Sequence, residues 1–235
     1  MRVQFLLIGE GTTERGLLEH LASLCIEAGA TEASGAVPPF ERLDVPVGHD
    51  LMLRLRAARR LIPTANLYFV HRDADALDPE PRYAEIAQAV ATSAVDLTYV
   101  AIVPIQEPEA WLLTDEAAIR RVAGRPNGRT QLDVPALNRI EQTGHPKERL
   151  EAALLLAAQP LVGKRLKSFR QEIGRRRQQL LEALPLGGPL EQLAAWRRLR
   201  DDTTAAIAAL RATQAAAPVE SSLLPLPSAG EGARG

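Results

Sequence analysis

Apolar runs of strand length alternate with stretches of helical period over the first half of this chain, and that alternation limits the fold more than any other feature. Val3-Gln4-Phe5-Leu6-Leu7-Ile8 is the first run, Asn66 to Val70 the second and Leu97 to Ile105 the third; Glu41 to Val47 reads as a further short strand. Between them, Leu17, Leu18, Leu21 and Leu24 share one helical face, as do Leu51, Leu55, Ala58 and Ile62 in the segment from Asp50 to Ile62. Arg82 to Ser93 reads as a third helix, and Gly29 to Pro39 as a loop rich in Gly, Ala and Pro. Thr12 or Thr13 suits the N-cap of the first helix, with Glu14 favoured in its first turn by the helix dipole. Strands alternating with helices in this way specify a mostly parallel sheet flanked by helices on both faces.

Beyond Glu107 the pattern changes. Pro108 opens a helix that carries Ala110, Trp111, Leu112 and Leu113, and Gly124 to Gln131 is rich in turn residues. From Val134 to Arg200 the chain reads as helical, interrupted at Gly144-His145-Pro146, near Pro160 and between Pro185 and Pro189. The sequence thus divides into an α/β domain (1–120), a C-terminal helical lobe (121–212) and a tail (213–235). The tail holds few large apolar residues and is expected to be disordered.

At 235 residues the chain is long enough for one large domain or a core domain with a helical appendage. A formal net charge of −1 neither favours nor excludes a nucleic-acid partner, so any basic surface must be local. Cys25 is the only cysteine, which excludes an intrachain disulfide and a cysteine-based zinc cluster. With no signal-peptide pattern before the first strand and no apolar run of membrane-span length, a soluble cytoplasmic protein without membrane contact is expected.

Acidic residues stand at the ends of three of the strand patterns: Glu10 and Glu14 in Gly9-Glu10-Gly11-Thr12-Thr13-Glu14, then Asp73 and Asp75, then Glu107 and Glu109. Functional sites in open α/β sheets gather beyond the carboxyl ends of the strands, so the three patches are expected to converge on one crevice. Crowded carboxylates raise one another's pKa, a conflict that a hard cation such as Mg²⁺ resolves. In extended backbone Asp73 and Asp75 point the same way and can reach one ion or two adjacent ions, the arrangement that clamps both oxygens of an in-line displacement. Each patch also has a plainer reading. Gly9-Glu10-Gly11 makes a tight turn, Glu14 complements a dipole, Asp73-Ala74-Asp75 makes a solvated turn, and Glu107-Pro108-Glu109 starts a helix. Asp115 has a capping or surface role.

These motifs resemble the Toprim fold, the catalytic domain shared by topoisomerases, primases and the overcoming-lysogenization-defect nucleases, which carries a glutamate after its first strand and Asp-x-Asp after a later one. The chain is more closely similar to the bacterial domain-of-unknown-function family 4276, a Toprim-like group. That resemblance rests on Gly9 to Glu14, on His71-Arg72-Asp73-Ala74-Asp75, on Pro104 to Asp115 with its Glu-x-x-Ala-Trp-Leu segment, and on His145-Pro146-Lys147-Glu148. It implies a Toprim-like, Rossmann-like catalytic domain in which Glu10, Asp73 and Asp75 hold Mg²⁺ or Mn²⁺. Glu10 is then also available for proton transfer, and Glu14 is an additional acidic ligand. It further implies a metal-dependent nuclease acting on DNA or RNA, in a setting of bacterial defence alongside an ATPase partner. No tyrosine context supports a topoisomerase, and Gly9-Glu10-Gly11-Thr12 is not a P-loop, because no Gly-Lys-Ser/Thr follows.

Lys164, Arg165, Lys167, Arg170, Arg175, Arg176 and Arg177 form a basic stretch on which Leu166, Phe169 and Ile173 share the opposite, apolar face. Such a surface attracts a phosphate backbone without reading sequence, although a solvated helix face has the same composition. Lys147 is a candidate phosphate clamp or transition-state cation, or the partner of Glu148 in a surface pair. His71 shares the strand phase of Asp73 and either lines the crevice or orients the acidic loop. The expectation is a metal-dependent nuclease with Glu10, Asp73, Asp75 and Lys147 as its catalytic residues. The alternative is a non-catalytic subunit that binds nucleic acid or an ATPase, and the sequence is compatible with a homo-oligomer in either case.

Overall fold

The computed structural model describes residues 1–9, 13–185 and 187–216, with residues 13 and 14 as backbone only. Glu10, the side chain of Glu14 and the tail beyond residue 216 therefore lie outside the described residues. Four parallel strands, β1 (Arg2–Ile8), β2 (Glu32–Ala36), β3 (Leu67–His71) and β4 (Tyr99–Ile102), form one sheet in the order β2-β1-β3-β4. The fold is a Rossmann-like α/β sheet flanked by helices, as the alternation of patterns specifies.

The two central strands are apolar on both faces because both faces are covered. Val3, Phe5 and Leu7 of β1, Leu67 and Phe69 of β3 and Val100 and Ile102 of β4 point into one cluster. That cluster is shared with α1 (Leu18–Glu27), α4 (Glu109–Leu112), α5 (Glu116–Val122), α6 (Pro146–Ala157), α7 (Gly163–Gln171), α8 (Ile173–Glu182) and α9 (Ala194–Ala216). Leu6, Ile8, Tyr68, Val70 and Ala101 alternate to the opposite face, under α2 (Leu51–Leu61) and α3 (Glu80–Thr92). Asp50 caps α2, its carboxylate accepting from the Leu53 amide at 2.8 Å. Among the described residues no helix is long and apolar enough to cross a membrane.

Two local expectations are corrected. Glu41 to Val47 is not a strand, and the second strand is instead Glu32–Ala36, inside the segment read as a loop. Glu-Ala-Ser-Gly-Ala has no β-branched or aromatic residue to mark it. Its place is fixed from outside: a Cβ at Gly35 would stand 2.0 Å from the Phe5 ring, so only glycine admits that side chain between the strands. The expected strand over Leu97 to Ile105 shortens to Tyr99–Ile102, but the chain beyond it stays tied to the end of β3. The Ala74 amide donates to Pro104 O, Asp75 to Gln106 O and Gln106 to Ala76 O, at 3.2, 3.0 and 3.2 Å.

Candidate functional site

That zipper of backbone hydrogen bonds holds the β3 and β4 ends together, and with them Asp73, Asp75, Glu107 and Glu109. Asp73 keeps the strand phase, so its Oδ1 lies 3.2 Å from Nε2 of the buried His71, two residues earlier. Asp75 does not keep it. Its φ of 52° turns the backbone, and its carboxylate meets the Arg82 guanidinium at 3.1 Å. The same Arg82 donates to Asp73 O and to Glu85, which makes it the clamp of the loop. Nothing in the sequence near Asp73 announces Arg82, because it reaches back from the first turns of α3.

Glu107 faces the start of α6, its Oε2 accepting from the Lys147 amide at 3.2 Å. Burial, more than the neighbouring Glu109, pushes the Glu107 carboxyl above its ordinary 4.5; Asp73 adds to the rise, and the Lys147 amide and ammonium oppose it. The folded chain therefore retains this proton to higher pH than the unfolded chain. Stability falls as pH climbs from 4.5 through the raised value, and it stays lower above it. Glu107→Gln keeps an acceptor for Lys147 and removes the charge. Its melting temperature is expected to exceed that of wild type at pH 7, with the gain closing as the pH approaches 4.5. Parallel thermal melts across that range check the sign, and a loss at neutral pH contradicts it.

Glu109 is 8% exposed and pairs with Arg177 of α8 at 2.6 Å. Removing one member of such a pair strands the other charge in a nearly dry site. Arg177→Met is accordingly expected to cost about 3 kcal/mol. The double variant Glu109→Gln/Arg177→Met should recover part of that loss in denaturant titrations, and a double variant no more stable than Arg177→Met contradicts the account.

Asp75, Gln106 and Glu107 line one side of a cleft of about 250 Å³, and Gly144, His145, Pro146, Lys147 and Glu148 line the other. Asp75, Gln106 and His145 have φ of 52°, 63° and 57°; Ala94 is the remaining non-glycine residue with positive φ among those described. Left-handed backbone costs about 1 kcal/mol or more at such residues and concentrates at functional sites. Lys147 is exposed at the cleft, as a cation for an incoming anion must be. The plainer reading of Asp115 is the one observed, since its Oδ1 accepts from the Ala118 amide at 2.9 Å and caps α5.

Among the described residues no three His, Cys, Asp or Glu side chains stand close enough together to hold a metal ion, and the remaining candidates, Glu10 and the Glu14 side chain, lie outside what is described. The donor chemistry nonetheless suits a hard cation: the available ligands are carboxylate oxygens, and burial, with the neighbouring Glu109 and Asp73 adding to it, lifts the Glu107 carboxyl above its ordinary range. Cys25 is buried and its thiol is pushed up to about 12, which removes it as a nucleophile.

The basic stretch is divided by helix rotation. Lys164, Arg165, Lys167, Arg170 and Arg175 are exposed. Arg176 instead lies 4.1 Å over the Phe169 ring, pairs with Glu172 at 2.9 Å and donates to Val122 O, while Arg177 is turned inward to Glu109. Arg176 and Arg177 thus serve internal contacts that the run of three arginines does not reveal. No protein family, curated protein or solved structure matches this chain.

Proposed function

We propose that this protein is a metal-dependent nuclease that hydrolyses phosphodiesters in the cleft at the ends of β3 and β4. The observation that carries the reading is the facing arrangement there. Carboxylates from two adjacent strand ends lie opposite the cationic Lys147, on loops held in left-handed backbone. The resemblance of the strand-end motifs to Toprim domains supports it.

Asp73 and Asp75, with Glu10, are the residues that would hold Mg²⁺ or Mn²⁺; bound there, the ion supplies a Lewis acid and lowers the pKa of water. Lys147 draws the phosphate into the cleft and offsets its charge. The buried His71 ring lies beneath the Asp73 carboxylate, and Arg82 holds the loop that carries Asp75. Desolvation at Glu107 gives the site a carboxyl that retains a proton more readily than an exposed one, which suits protonation of a leaving oxygen. A role in bacterial defence with an ATPase partner follows from the resemblance, and the chain has no P-loop of its own.

A second reading, a nucleic-acid-binding or ATPase-binding subunit without catalysis, is favoured by the engagement of Asp75 with Arg82 and of Glu109 with Arg177. Incubation of the chain with supercoiled plasmid, single-stranded DNA and tRNA in Mg²⁺ or Mn²⁺ separates the two. Cutting that needs the metal and is lost in Asp73→Ala supports the nuclease, and intact substrates with retained binding support the second reading.

A further inference from the structure

A second basic site lies on the helical side of the molecule, between α5 and α8. Arg121, Val122, Arg175, Arg176, Gln179 and Glu182 line an open pocket of about 540 Å³. Arg121 ends α5, while Arg175 and Arg176 stand in the first turn of α8, so three arginines from two helices line one depression.

Their existing partners differ. Arg176 is immobilised by Phe169, Glu172 and Val122 O. Arg121 touches Asp115 only at 3.5 Å, across a carboxylate whose other oxygen already caps α5. Arg175 makes no ion pair among the described residues and is exposed. Glu182, the carboxylate on the rim, accepts from Gln178 at 2.9 Å. Arg121 and Arg175 therefore present unused donors beside the Gln179 amide, with Arg176 as a fixed positive wall. Planar guanidinium forks converging on one depression match the oxygens of a phosphate.

The helix that carries this pocket also touches the segment that follows the cleft residue Glu107. Arg177, one residue beyond Arg176 and about 100° further round the helix, is the partner of Glu109. Consecutive arginines of α8 thus face the acidic segment on one side and the pocket on the other.

We propose that the pocket formed by Arg121, Arg175 and Gln179 binds a backbone phosphate of a nucleic-acid strand whose reacting phosphate lies in the β3–β4 cleft. The inference rests on the nuclease reading and deepens it: the substrate is a polymer that spans two separate phosphate sites, rather than a mononucleotide.

The test is fluorescence anisotropy with end-labelled single-stranded DNA, duplex DNA and RNA of about 20 nucleotides, longer than a single-strand site of usual size. Wild type, Asp73→Ala, Arg121→Ala/Arg175→Ala and Arg121→Lys/Arg175→Lys are compared from about 50 to 200 mM salt. The alanine pair is expected to weaken binding about tenfold and to lower the slope of log affinity against log salt by about one to two. The lysine pair keeps the slope while losing part of the affinity, a pattern that simple loss of fold does not give. Binding and slope unchanged in the alanine pair overturn the inference and leave the nuclease reading standing. A wild type that binds through Arg121 and Arg175 but leaves all three probes intact in Mg²⁺ keeps the phosphate site, defeats the nuclease reading and overturns the two-site span with it. A wild type that binds none of the three probes overturns both.

Discussion

Asp73→Ala is expected to lower metal-dependent cleavage by about a hundred- to a thousandfold while leaving the fold intact. The size follows from the several kcal/mol of charge stabilisation that a bound metal supplies, at about 1.4 kcal/mol for each tenfold in rate. The fold survives because Asp73 lies beyond the last residue of β3 with its side chain 31% exposed, outside both apolar clusters. Asp73→Asn refines the test, since it leaves an oxygen for His71 and removes only the charge. Both variants should keep the wild-type melting temperature without metal and lose activity together. An active Asp73→Asn would mean that Asp73 orients the loop and takes no part in holding the ion.

The largest expected loss of stability comes from Trp196→Ala. Trp111 and Trp196 are 0% and 1% exposed, and their rings meet edge to face with centroids 5.3 Å apart. Truncating a buried tryptophan costs about 3–5 kcal/mol, and an aromatic pair of this geometry adds about 1 kcal/mol. Against a total stability of about 5–15 kcal/mol, that is enough to leave a large unfolded fraction near physiological temperature. The contact also has a functional side. Trp111 lies two residues after Glu109, so the α4–α9 packing it anchors fixes the acidic segment at the end of β4. Trp196→Phe should keep most of the burial and lose less. Denaturant titrations with near-ultraviolet dichroism decide this, and an alanine variant within 1 kcal/mol of wild type contradicts a keystone role for the pair.

The central strands and their neighbouring helices were legible because their signals are local. Val, Ile, Leu and Phe fill β1, β3 and β4, and Asp50 stands where a helix needs a cap. β2 was illegible for the opposite reason, since a strand of small residues is specified by the Phe5 ring packed against Gly35 and not by its own composition. In the site, the placement of acids at strand ends could be read from the sequence, but their directions could not. Asp73 follows strand phase, whereas a left-handed backbone sends Asp75 to Arg82. Glu109 and Arg177 are 68 residues apart, and neither neighbourhood signals the other. The basic stretch misleads in the same way: charge can be counted along a sequence, but only the rotation of α8 decides that Arg175 faces solvent while Arg176 and Arg177 face protein.

A metal-dependent nuclease at this site requires that Asp73 and Asp75, with Glu10, bind a divalent cation. Calorimetric titration of Mn²⁺ into the wild-type chain and into Asp73→Asn at pH 7.5, where exposed carboxylates are ionised, is the most direct measurement. Saturable binding by wild type that is lost or greatly weakened in Asp73→Asn is the predicted result. No saturable binding by the folded wild type, or equal binding by both proteins, would contradict a metal centre at this site.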